Sequence, residues 1–231
     1  MKLLAVAAEA REFGGILVHT ARARAVETGA DWARLAVLGR YELLLVANGA
    51  GPRRAAAALD RAVPVFRPDA IVSTGFCGAL EEGLGVAAIV LATEVAGADG
   101  RFSASAPATS PPHHPGVVVT IDHIAQSATE KRSLRQTGSI AVDMEAAAVA
   151  GRAAALGLPF YAIKAVTDLA GEDLANDLNA ALRSDGHFDT IRILGSILGH
   201  PLARLPELLR LRSRSVRAAR ALGDFFADCR F

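Results

Sequence analysis

Val142-Asp143-Met144-Glu145-Ala146-Ala147-Ala148-Val149-Ala150 opens a run that stays helix-compatible to Leu156, and Gly157-Leu158-Pro159 closes it. Alanine costs least in a helix, and Gly followed by Pro is a stop signal. Phe160-Tyr161-Ala162-Ile163-Lys164-Ala165-Val166-Thr167-Asp168 comes next, apolar on both alternating faces except at Lys164. That is the pattern of a strand covered on two sides. The same alternation extends through the chain. Residues 2–8, 41–48, 70–75, 87–95, 117–120 and 159–167 read as strands, and residues 10–22, 52–63, 130–136 and 144–156 as helices, with Pro52 at a first helical position. An α/β layered fold with a largely parallel or mixed sheet follows.

The chain has 231 residues and 24.0 kDa, with 52% hydrophobic residues, 21% charged and a net charge of +1. That length suits one good-sized domain, 1–231, whose core needs no disulfide staples. Cys77 and Cys229 alone exclude a disulfide framework and a four-cysteine zinc site. Near-neutral charge and 5% aromatic residues argue against a nucleic-acid partner. The apolar opening stops at Glu9, too short for a signal peptide, and reads as a buried first strand. No window approaches the roughly 20 apolar residues of a membrane span. The expectation is a cytoplasmic enzyme. His19, His113, His114, His123, His187 and His200 show no metal spacing, and GxSxG, P-loop and HExxH motifs are absent.

Two segments break the rhythm. Residues 97–115, rich in Gly, Ser, Pro and His, read as a long loop that either covers a ligand or subunit contact or is a slack excursion. Residues 201–231 carry Arg204, Arg210, Arg212, Arg214, Arg217, Arg220 and Arg230, with leucines at near-helical spacing. This basic amphipathic tail fits a helix packed on the core with a solvated face, or an interfacial helix at the inner face of a membrane.

Chemistry-bearing residues fall at strand ends, where open α/β sheets bind ligands. Gly49-Ala50-Gly51-Pro52-Arg53-Arg54 links a strand to a helix start, which favours an anion or a polar oxygen. Thr74-Gly75-Phe76-Cys77-Gly78 ends another strand, with Cys77 read as a packed residue. Neither glycine turn, nor residues 83–88, is a dinucleotide fingerprint in its proper context. Glu145 can be a helix-dipole carboxylate with Asp143 as cap, and Asp168 a turn residue. With Glu9 and Glu12 past the first strand, carboxylates from three strand ends could instead meet in one crevice as an acid–base site.

Val142–Ala150 in sequence, then Leu158-Pro159-Phe160 and Lys164-Ala165-Val166-Thr167-Asp168, together resemble the nucleoside phosphorylase and nucleosidase superfamily, which includes the methylthioadenosine/S-adenosylhomocysteine nucleosidases. Asn48-Gly49-Ala50-Gly51 and Ser73-Thr74-Gly75-Phe76-Cys77-Gly78-Ala79-Leu80 match its two glycine turns, so the resemblance covers about residues 1–170. Asp122, Glu130-Lys131-Arg132, Arg183-Ser184-Asp185-Gly186-His187-Phe188-Asp189 and the tail look like the hopanoid-associated branch. That branch is implied to remove adenine from adenosylhopane; a methylthioadenosine-type nucleosidase, or a non-catalytic nucleoside-binding protein of the same fold, is the alternative.

The resemblance implies a three-layer fold with a mixed sheet flanked by helices, a homo-oligomer, and cleavage of a purine N-glycosidic bond. It implies Asp168 as the acid at the purine N7, kept protonated by burial, and Glu145 on the ribose hydroxyls with Met144 beside the sugar. Glu12 is implied to handle an attacking water, with Glu9 as a substitute. Gly51, Gly75, Phe76 and Thr167 line the substrate, and His123 is a candidate to stack on the base. No cofactor or metal is implied. Phosphate is the alternative nucleophile, with Arg11, Arg53 and Arg54 as its candidate holders, because the phosphorylase arginine and serine positions read Ser73 and Phe76 here.

Overall fold

The computed structural model describes residues 1–189, 191–192 and 201–231; His200 lies outside the described residues. Its strands are β1 (Lys2–Ala7), β2 (Ala21–Ala25), β3 (Trp32–Leu38), β4 (Tyr41–Ala47), β5 (Ala70–Ala79), β6 (Ile89–Gly97), β7 (Gly100–Ser103), β8 (His114–Thr120), β9 (Ser139–Asp143) and β10 (Phe160–Asp168). Its helices are α1 (Gly14–Val18), α2 (Pro52–Phe66), α3 (Ala128–Arg135), α4 (Ala146–Ala155), α5 (Leu178–Ala181) and α6 (Pro201–Asp228), with a 3-10 turn over Ala10–Phe13.

One mixed sheet runs β10-β6-β8-β9-β5-β1-β4-β3-β2. β5 also pairs with β10, so five strands close on themselves and β1, β4, β3 and β2 extend from the ring. β5 is the hub. It lies parallel to β1 and β10, and its last two residues, Gly78 and Ala79, pair with β9 in the antiparallel sense. β1, β5 and β10 therefore point their carboxyl ends the same way, and β9, running against them, sets Val142 beside Gly78 so that Asp143 at its end lies along β5. Two apolar layers sandwich the sheet. α2 and α4 pack on one face through Ala58, Leu59, Ala62, Val149 and Ala153, and α1 and α6 on the other through Ile16, Leu222, Phe225 and Phe226.

Several boundaries differ from the expected ones. Residues 10–22 do not form one helix: the chain leaves α1 at Val18 and returns as β2, which pairs with β3. A short edge strand of alternating Ala and Arg carries almost no apolar signal. α2 runs past Pro64 to Phe66, because burial of Phe66 draws the last turn inward before Arg67 ends it at φ 50°. Residues 97–115 are not one loop, since β7 forms a hairpin with β6 and β8 begins at His114. What remains is fastened to the C-terminus: Ala108 and Arg230 exchange backbone hydrogen bonds of 3.0 and 2.9 Å, and Asp228 accepts from the Ser110 N–H at 2.7 Å. The tail is a core element in its second half, with Ala218, Leu222, Phe225 and Phe226 buried. No helix among the described residues is long and apolar enough to cross a membrane.

Candidate active site

A cavity of about 750 Å³ opens where these strand ends meet the turn after β1. Glu12 arrives on the 3-10 turn, which is closed by a capping box in which Glu9 and Glu12 bond each other's backbone. Glu12 Oε1 accepts the Glu9 N–H at 2.8 Å and Oε2 accepts the Phe76 N–H at 2.9 Å. Gly75 makes room for this contact. A Cβ there would lie 1.9 Å from Glu12 Oε2, and the residue's φ of +114° suits glycine alone. Glu145 sits at the N-cap of α4 and accepts the Gly51 N–H at 2.9 Å. Gly51 and Gly75 thus stand behind the cavity wall and orient the two glutamates. Asp143, at the end of β9, caps α4 by accepting the Ala146 N–H at 2.9 Å and takes the Thr120 hydroxyl at 2.6 Å.

Lys164 anchors this acidic floor. It is fully buried, with Nζ 2.7 Å from Asp143 Oδ2 and 3.2 Å from the Thr74 carbonyl. Its charge acts on three carboxylates at once. Burial pushes Glu12 up to about 8, with the Glu145 charge adding and Lys164 opposing. Burial likewise lifts Glu145 to about 7, against Lys164 and helped by Asp143. For Lys164, burial favours the neutral amine, but Asp143, Glu145 and Glu12 outweigh it and hold the ammonium above its usual range. One buried cation cannot balance three carboxylates, so the site keeps an extra proton at neutral pH and is complementary to positive charge arising in the cavity.

Asp168 lines the opposite wall beside Thr167, Cys77 and Gly78. Its Oδ1 takes the Thr167 hydroxyl at 3.1 Å and its Oδ2 pairs with the buried Lys131 at 2.7 Å. The acid is therefore held by an ion pair, not enclosed by apolar groups alone as the sequence suggested. Cys77 is buried and its thiol is pushed well up by burial, which keeps it neutral. Met144, Phe76 and His123 also line the cavity. His123 is clamped by Asp122 at 2.8 Å and Glu130 at 2.6 Å; these hydrogen bonds raise it above its ordinary value.

Of the three arginines named for phosphate, Arg11 lines the cavity beside its partner Glu9, and Arg53 and Arg54 stand outside the lining. Arg11 pairs with Glu9 at 2.6 Å, Arg54 holds the Asn48 carbonyl and Asp31 at 2.6 Å each, and Arg53 is exposed on α2 outside the cavity lining. Lys131 and Lys164 lie in the motifs that carry the resemblance but were given no role there. A single lysine in an apolar strand, as at 164, was the available signal for one of them; Lys131 lay in an ordinary charged helix. Trp32, Leu174, Leu178, Phe188, Leu208 and Leu211 add apolar surface to the cavity lining, and α6 is tied to residues 175–176 because Glu207 accepts the Ala175 and Asn176 N–H groups at 2.8 Å each. Among the described residues no group of three His, Cys, Asp or Glu is placed to hold a metal ion.

The chain is similar over 175 residues to the 5'-methylthioadenosine/S-adenosylhomocysteine nucleosidase of Staphylococcus aureus, at 25% identity, covering 63% of this chain and 77% of that one. In fold it is similar to the same-named enzyme of Neisseria meningitidis bound to methylthio-immucillin-A, with a TM-score of 0.69, 21% identity and coverage of 97% and 99%. A futalosine hydrolase mutant of Helicobacter pylori gives a TM-score of 0.72 at 16% identity, covering 99% of this chain and 97% of that one. The family model of the phosphorylase superfamily matches residues 25–107 and 101–187. This chain is a member of the phosphorylase superfamily.

Proposed function

We propose that the chain cleaves the N-glycosidic bond of a purine nucleoside with water as the nucleophile. The observation that carries this reading is the convergence of Glu12, Glu145 and Asp168 on one cavity, the two glutamates near the buried Lys164 and Asp168 paired with Lys131. As the sugar–nitrogen bond breaks, its electrons pass to the purine and the sugar becomes cationic. Asp168 protonates the base at N7, Glu145 binds the ribose hydroxyls and offsets the positive charge, and Glu12 takes the proton of the attacking water. Water is favoured over phosphate because Arg11 and Arg54 are already paired and Ser73 is fully buried. The test is adenine release from methylthioadenosine with and without phosphate, wild type against Asp168→Asn. Equal release in both buffers, lost in the variant, supports hydrolysis; strict phosphate dependence refutes it.

The preferred substrate in this reading is adenosylhopane, with the chain working as a homo-oligomer in the cytoplasm and touching the membrane through α6. The size of the cavity and the apolar residues in its lining support a bulky apolar 5'-substituent. The first half of α6 adds Leu202, 94% exposed, with Leu205 and Leu209 also exposed, among Arg210 and Arg212. Full-length protein is expected to sediment with anionic vesicles at low salt, and failure to do so removes the membrane contact.

A further inference from the structure

Asp168 is paired with a second buried residue. Lys131, in α3, is fully buried, yet its Nζ lies 2.7 Å from Asp168 Oδ2 and donates to the Leu169 carbonyl at 2.8 Å and, at the limit of reach, the Glu172 carbonyl at 3.5 Å. All three ammonium hydrogens are thereby directed at residues 168–172, the segment that leaves β10. Gly78 permits the pairing, since a Cβ there would lie 2.7 Å from Asp168 Oδ2. The arrangement is costly for a purely structural purpose: well-packed apolar residues usually do as well as or better than a buried ion pair. It also places a proton donor against the one carboxylate that must deliver a proton.

We propose that Lys131 holds the proton that Asp168 passes to the departing base, so that the pair acts as the general acid; this rests on the nucleosidase reading above. The proton leaves Lys131 Nζ for Asp168 Oδ2 and goes on to the base as the sugar–nitrogen electrons arrive there. Lys131 ends neutral, Asp168 ends ionised as it began, the base departs neutral, and Glu12 gains the proton of the attacking water. Solvent resets Lys131 and Glu12 after release. Lys131 is thus a positioning residue that acts through Asp168.

Other charges face the pair. Glu172 is locked by Arg214 of α6 in two hydrogen bonds of 2.6 and 2.8 Å, which hold it down at about 2. Arg214 also feels the Asp168 charge. Asp173 accepts the Ala128 N–H at the start of α3 at 2.7 Å, Glu130 on the same helix is taken up by His123, and Cys77 on β5 stays neutral. Of these, His123 is the imidazole whose protonated form Asp122 and Glu130 favour, and the Asp122→Asn variant serves as a control for it.

The test measures adenine release from methylthioadenosine between pH 5 and 10 for wild type, Lys131→Arg and Lys131→Met, with adenine binding and thermal unfolding alongside. Arginine keeps the cation but does not surrender a proton. Lys131→Arg is expected to bind adenine within a few-fold of wild type and to lose about 10²-fold in kcat. Lys131→Met is expected to move the alkaline limb of kcat/KM to lower pH, because Asp168 must then carry its own proton. A Lys131→Arg variant within threefold of wild-type kcat overturns the proposal, and so does a Lys131→Met variant whose alkaline limb stays in place; the second arm decides if arginine does not fit. Wild type that releases no base from methylthioadenosine or from any other purine nucleoside overturns the nucleosidase reading itself, and the proposal with it.

Discussion

Glu12 and Glu145 make the sharpest claims at the scale of single residues. Glu12 can accept a proton only once ionised, and burial holds its carboxyl up to about 8, so kcat/KM should climb from pH 6 to 8 where an ordinary glutamate would already be flat. A profile flat above pH 5.5 would remove Glu12 as the base. Gly75→Ala should cost about 10²-fold in kcat together with stability, since the new Cβ displaces Glu12 Oε2; an unimpaired Gly75→Ala enzyme would contradict that placement. Asp168→Asn should abolish turnover and also lower stability by about 2 kcal/mol or more, because it strands the Lys131 ammonium in the interior, which thermal unfolding reads directly. Glu12 and Asp168 were legible because each follows an apolar strand run, and Glu145 because it opens a helical run within the motifs that carry the resemblance. Their partners were not, since the pairs Lys131–Asp168 and Lys164–Asp143 join residues far apart in the chain and leave no local pattern.

Helix α6 divides into two functions at the scale of elements. Its second half is core: Phe226→Ala should destabilise by about 3–5 kcal/mol, with activity per folded molecule preserved. Its first half presents Leu205 and Leu209 to solvent, so a Leu205→Glu, Leu209→Glu double variant should keep its unfolding temperature and lose vesicle binding. Unchanged sedimentation would assign the leucines to another contact. The sequence showed the amphipathic periodicity of this segment but not which half is covered, because the covering elements β10 and α1 are distant in the chain. The doubly buried strands β1, β4 and β10 were readable from continuous apolar runs. The edge strands β2 and β7 were not: one is fully exposed Ala and Arg, and the other is four residues that open on a glycine.

The site is stabilised and strained by the same burial at the scale of the whole molecule. Glu12 and Glu145 keep protons in the folded protein that the unfolded chain releases above about 4.5, so stability should fall as pH rises from about 4.5 to 8. Glu172 acts in the opposite sense, giving stability above its unfolded range that is lost as pH falls toward about 2. Glu145→Gln keeps an acceptor for Gly51 and should flatten the alkaline decline of the unfolding temperature while abolishing turnover. The most direct test of the chemistry is a single chromatographic assay: wild type with methylthioadenosine in phosphate-free buffer, followed for free adenine and free methylthioribose. Equimolar release of both is expected if water attacks the sugar at this cavity. No adenine until phosphate is added, or none from any purine nucleoside, would contradict it.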